Sequence, residues 1–192
     1  NLLYFVEKHA PLLEPWQREV VRIVRKIAQY FYPQRQTQVM NEGWATFWHH
    51  RILNTMYDDG HLTDGVMIEW LTSHTNVVYQ PRVGERAYSG INPYALGFAM
   101  YTDIKRICDA PTAEDREWFP NIAGKPWLEV LDHAMRNFKD ESFVGQYLSP
   151  KLMRELRLFS ITDDENDDEL EVSAIHDDAG YRRVREALSR QY

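Results

Sequence analysis

Cysteine is almost missing from this chain. Cys108 is the single one among 192 residues, so no disulfide can form within the chain, and a reducing, cytoplasmic compartment is expected. Cys108 falls in an apolar helical stretch and is read as a small core residue rather than a nucleophile. Basic residues form no stripe of the kind a nucleic-acid binder carries, so nucleic acid is not expected as a partner. No run approaches the roughly 20 apolar residues of a membrane span, and no signal peptide is visible. A glycine-rich phosphate loop, a Gly-x-Ser-x-Gly elbow, a Cys-x-x-Cys pair and a His-Glu-x-x-His helix are absent as well, which removes the sequence signatures of several common chemistries.

Aromatic rings, by contrast, are plentiful, with six Trp and eleven Tyr. Rings of that size bury much area, which implies a dense core. The net charge of −7 is local: residues 163–171 hold seven acids and no base, leaving the remainder near neutral. That run reads as a solvated turn, since it lacks the glycine of a calcium-binding EF-hand loop.

Helical spacing dominates. Trp16, Val20, Ile23, Val24, Ile27 and Phe31 predict a helix that opens at Pro15 and stops at Pro33. A second helix is predicted over 37–57, apolar nearly all the way round and therefore buried, and a third over 64–73. Residues 75–91 read as a long loop. Asn92-Pro93 then opens a helix reaching Cys108. Thr112, Pro126, Ser149-Pro150 and Asp177 or Asp178 mark further helix starts. Two strands, 158–162 and 170–175, are predicted to flank the acidic turn as a β-hairpin. The expected architecture is mainly α, α+β overall: a helical domain over 1–158, then a hairpin and helix over 159–192 that begin a further domain.

The segment Asn41-Glu42-Gly43-Trp44-Ala45-Thr46-Phe47-Trp48-His49-His50 is the unusual one. Glu42, Thr46, His49 and Leu53 share one helical face. A carboxylate in a packed helix must be paired, hydrogen-bonded, protonated or metal-bound. Two readings follow: Glu42 joins a buried arginine network, or it is a metal ligand or general acid/base. Gly43 costs roughly 1 kcal/mol relative to Ala inside a helix, so something is expected to approach the backbone there. Glu42 and His49 lie about 10.5 Å apart along the axis, too far for an ordinary pair of ligands on one helix. His74 is a weaker candidate facing the same cavity. His50 reads as a packing or surface residue, and His9, His61, His133 and His176 as surface or capping residues. The stretch Tyr88-Ser89-Gly90-Ile91-Asn92-Pro93-Tyr94 sets hydroxyls and an amide beside a helix N-terminus, either as a capping turn or as a substrate-facing loop.

Three blocks, Tyr32 to His49, Tyr88 to Phe98 and Phe138 to Phe143, with Ala174 to Tyr181 as a fourth, closely resemble the bacterial stage V sporulation protein R family, and the resemblance covers essentially the whole chain. Members of that family are considerably longer, which implies that this chain is the middle of a longer polypeptide, its first partner being the rest of that polypeptide. The family's link to the spore cortex implies a peptidoglycan-related substrate. Glu42-Gly43-Trp44-Ala45 is also similar to the Glu-Gly-Trp-Ala of some zinc peptidases. That likeness implies a zincin-like helical core in which Glu42 holds zinc or another divalent metal, with histidine ligands supplied from outside this chain. Together these imply a metal-dependent amide hydrolase with Glu42 and His49 catalytic, His49 and His74 as further candidate ligands, and Tyr88, Asn92 and Tyr94 facing substrate. The alternative is a non-enzymatic regulatory or scaffold protein in sporulation or stress response.

Overall fold

The apolar spacing becomes helix through most of the computed structural model, which describes residues 2–82, 84–162, 171–174 and 177–192, the stretches 160–162 and 171–174 by backbone alone. The chain divides into two compact units, Asn1–Thr37 and Gln38–Tyr192.

The first unit pairs α1 (Leu2–His9) with α2 (Pro15–Arg35). Arg18 closes the end of α1, donating to the carbonyls of Glu7 at 2.8 Å and Ala10 at 2.6 Å. These carbonyls lie in the last turn, where no intrahelical donor remains for them. Pro15 opens α2 as expected, but Pro33 does not stop it, and the helix runs on to Arg35. A proline in the last turn removes one hydrogen bond near an end that frays in any case, so termination lags it by two residues. The apolar stripe of α2 remains open: Trp16, Val20, Ile23, Val24, Ile27 and Phe31 are 45–67% exposed.

The second unit contains α3 (Gln38–Asp58), α4 (Asp64–Val77), α5 (Pro93–Asp109), α6 (Ala113–Trp118), α7 (Trp127–Asn137), α8 (Asp140–Tyr147), α9 (Pro150–Glu155) and α10 (Asp178–Ser189). Local chemistry starts several of them. Asn92, Thr112, Ser149 and Asp177 accept from backbone N–H groups two or three residues on, as N-caps do. Their inner faces meet in one core that includes Met40, Phe47, Met100, Tyr101, Leu131, Phe143, Met153 and, from α10, Tyr181, Val184 and Leu188. The Tyr101 hydroxyl is buried and donates to the sulfur of Met135 at 2.7 Å. Cys108 is buried as expected, and burial pushes its thiol up to about 11.

α3 and α5 run side by side in the same direction, Gly43 meeting Gly97 and Phe47 meeting Tyr101. This is the close approach that Gly43 foreshadowed. A methyl group added at Gly97 would sit 2.6 Å from the Cα of Gly43, and one added at Gly43 would run into the Gly97 backbone. Both glycines are helical, so what they provide is space rather than an unusual backbone angle.

The N-terminus of α3 is held by Asp140, the first residue of α8. Its carboxylate accepts from the backbone N–H of Val39 at 2.8 Å and of Met40 at 2.9 Å. Asp140 is 0% exposed. Burial raises its pKa against the opposing pull of those N–H groups, and the helix dipole favours the anion at this end.

Four expectations need correction or restriction. α3 is not buried all round. Val39, Met40, Gly43, Thr46 and Phe47 are buried, whereas Ala45, Ile52 and Met56 are exposed, because α5 and α8 cover one face of its first half. The expected hairpin rests on residues that mostly lie outside the described ones. Short extended segments at Ser160–Thr162 and Glu171–Ala174 pair antiparallel, but residues 163–170 between them are not described, and no hairpin is assigned. The fold that stands is mainly helical, without support for a zincin-like core. The boundary expected near 158 is not where the compact units divide, and α10 packs into the same core as α5 and α8.

Gly97→Ala is expected to force α3 and α5 apart. Overpacking costs about 1–3 kcal/mol, which exceeds the roughly 1 kcal/mol that alanine gains in helix propensity. Chemical denaturation of the full-length protein should therefore show net destabilisation, and an unchanged or raised midpoint would exclude the tight crossing.

Candidate functional site

Glu42 lies in the second turn of α3, beside the glycine contact, and is half-buried. No ion pair joins it to an Arg or Lys among the described residues, so the arginine-network reading is not what surrounds it. Tyr94, on the first turn of α5, is the group its carboxylate acts on, holding that phenol above its ordinary range. One turn on, the Thr46 hydroxyl donates at 2.7 Å to the Glu42 backbone carbonyl rather than to its carboxylate.

Further along α3 the helix meets α4 through imidazole and indole rings. The His50 and His74 rings lie 5.0 Å apart, with Phe98 of α5 at 5.3 and 4.9 Å and Trp70 of α4 at 5.5 and 5.3 Å. The exposed His49 accepts from the indole N–H of Trp70 at 3.5 Å, through Nδ1. Burial lowers the pKa of both His50 and His74; Arg51 adds to the effect on His50, and the neighbouring histidines add to it on His74. At neutral pH both rings are therefore uncharged and able to accept a proton or a metal.

The structure thus brings His74 to α3, with His50 rather than His49 as its nearest imidazole. His49 and His50 differ by about 100° around the helix, so one of an adjacent pair had to face whatever packs there. That was the signal for His50 that periodicity around Glu42 passed over. No hydrogen bond or ion pair joins Glu42 to His49 among the described residues. His49, His50, His74 and Glu42 are the right donor types for zinc, but no three His, Cys, Asp or Glu side chains gather closely enough to hold a metal ion among the described residues. A complete metal site does not fit these residues alone.

In the loop before α5, Asn92 is fully engaged. Its amide donates to the carbonyls of Val77 at 2.8 Å and Tyr79 at 3.0 Å, its oxygen accepts from Tyr94 N–H at 3.0 Å, and its own N–H donates to Gln80. It fastens the loop and starts α5. A cleft of about 370 Å³ opens beside it, lined by Tyr79, Pro81, Ser89, Ile91 and Asn92 among others. Tyr88 is partly exposed and lies near Tyr192, whose phenol burial pushes up to about 12.

The helical fold sets Glu42 and His50 on one helix, α3, the first acting on Tyr94 and the second meeting His74. The family model described as SpoVR like protein matches residues 1–192. An uncharacterized protein of Escherichia coli strain K12, YcgB, is 66% identical over all 192 residues. The chain belongs to the SpoVR-like family. It spans 38% of the length of that relative. No solved structure matches it. No helix among the described residues is long and apolar enough to cross a membrane.

Acidification tests the histidine cluster. Burial makes protonation of His50 and His74 harder in the folded chain than in the unfolded one, where imidazole titrates near ~6.5. The unfolded state then binds more protons as pH falls through that value, so stability drops on acidification and levels off below the folded-state titration. The fall in melting temperature of the full-length protein between pH 7.5 and 5.5 should be smaller in His74→Phe than in wild type. An identical fall would contradict the burial.

Proposed function

We propose that this chain carries the acid–base half of a hydrolytic site acting on an amide bond, with Glu42 as the proton carrier. The observation that supports this is a half-buried carboxylate that acts on the phenol of Tyr94, without a cation partner among the described residues. A structural ion pair would hold the charge immobile; a neighbouring phenol leaves the carboxylate free to meet substrate and water. Glu42 takes a proton from water as the oxygen attacks the amide carbon, then returns it to the departing nitrogen as the carbon–nitrogen bond breaks. Tyr94 steers the carboxylate. His50 and His74, held neutral by burial, form the adjoining wall, with His49 at the solvent edge. Substrate enters past Tyr88 and the cleft beside Asn92, which positions the loop rather than the substrate.

The family membership gives the substrate class its direction: a peptidoglycan amide or a precursor of one, handled in the cytoplasm. Zinc or another divalent ion would supply Lewis acidity here, with part of its ligand set coming from outside this chain. A second reading, a regulatory or scaffold role, draws support from the open apolar residues of α4: Ile68 and Leu71 line a shallow surface depression and are 65% and 41% exposed.

Turnover of peptidoglycan-derived amides by the full-length protein, with metal content measured alongside, decides between them. Glu42→Gln should lower kcat by about 10²–10⁴-fold, the range for a lost general acid/base, with melting temperature close to wild type. Tyr94→Phe should lower it less. Unchanged turnover in Glu42→Gln, or no amide turnover in wild type, would leave the scaffold reading.

A further inference from the structure

Away from the Glu42 face, two guanidinium groups lie against one indole. Arg182 and Arg185, three residues apart on α10, sit 4.8 Å and 5.1 Å from the ring centre of Trp118 at the end of α6. Arg185 is half-buried, Arg182 exposed. Neither is paired with a carboxylate among the described residues. Three acids of these elements are engaged elsewhere. Glu114 forms two hydrogen bonds to Arg154, at 2.9 and 2.7 Å, Asp115 is bound by Arg106, and Glu186 is bound by Arg190. Arg154 also donates to the hydroxyl of Tyr181, whose ring meets Trp118 edge-on at 6.2 Å.

Two like charges held side by side, one of them half out of water, oppose each other. Burial and the Arg182 charge both lower the pKa of Arg185. In folded proteins such an arrangement is ordinarily relieved by an acid, and among the described residues none forms an ion pair with either arginine. The stacking does something further. A guanidinium lying on an indole keeps its edge of N–H donors free, in the fork that matches two oxygens of an oxyanion. Two such forks one helical turn apart match a tetrahedral dianion better than a flat carboxylate.

We propose that Arg182, Arg185 and Trp118 form a binding site for a phosphate group, free or as the end of a small phosphate monoester. The site is separate from the Glu42 face and stands whether or not that face is catalytic. Trp118 is its platform and its reporter, Arg185 the fixed half of the clamp and Arg182 the half that closes.

Inorganic phosphate and phenyl phosphate, titrated into the full-length protein at constant ionic strength while indole fluorescence and melting temperature are followed, test it. Wild type should give a saturable response with a rise in melting temperature, as a ligand bound to the folded state requires. Arg185→Lys keeps the charge but loses the fork, and should weaken binding about tenfold. Arg182→Gln with Arg185→Gln should abolish it; if that pair fails to fold, the exposed Arg182→Gln alone should weaken binding at least several-fold. Tighter binding of the ester identifies an esterified ligand, and equal binding identifies phosphate itself. No saturable response in wild type, or undiminished affinity in Arg182→Gln, overturns the proposal.

Discussion

The approach of Gly43 to Gly97 is the constraint on which the second unit rests. α3 and α5 share a longer contact than any other pair of helices described, and at its centre two backbones touch where side chains would hold most helices 8–10 Å apart. Everything of chemical interest on α3 follows from that proximity. It sets Tyr94 against Glu42, one turn before the crossing, and Phe98 against His50, one to two turns beyond it. It also lets Phe47 and Trp44 close over Tyr101. Asp140 completes the geometry by fixing the N-terminus of α3 from the far side of the core.

Two carboxylates on or against α3 therefore have different fates. Asp140 is fully buried and satisfied by backbone N–H groups, which ties it to the fold. Glu42 is half-open and has no ion pair among the described residues, which leaves it available. The contrast matters because burial alone does not mark a functional acid: the deeper of the two is the structural one. The same division runs through the cations. Arg106 bridges Asp103 and Asp115, and Arg154 bridges Glu114 and Tyr181, as parts of the frame, while Arg182 and Arg185 rest on Trp118 without an ion pair among the described residues.

Much of this was legible where the physics is local. Asn92-Pro93, Ser149-Pro150 and Asp177 announce helix starts because a cap needs only its own next three residues. Gly43 announced a close approach through its cost in a helix, but not the partner, since nothing near Gly43 in sequence names Gly97. Asp140 escaped notice for the same reason. Asp140 stands between two charged residues, Lys139 and Glu141, and only a contact about a hundred residues away buries it. α8 escaped with it, being short and without a marked apolar stripe. At the site, Glu42 and Tyr94 were both singled out, but as separate actors rather than partners. His50 was set aside because the face was drawn from Glu42, whereas α4 meets α3 on the neighbouring face. The aromatic run of α3 suggested burial all round; its partners cover one face only.

The contact between Glu42 and Tyr94 is what ties the helix crossing to the proposed chemistry, and titration of the Tyr94 phenol tests it most directly. With ring-labelled tyrosine followed by NMR in the full-length protein, Tyr94 should titrate above the ordinary ~10 in wild type and move down toward it in Glu42→Gln. A phenol that titrates at the same pH in both proteins would mean that the carboxylate does not face it, and the account of the site would fail.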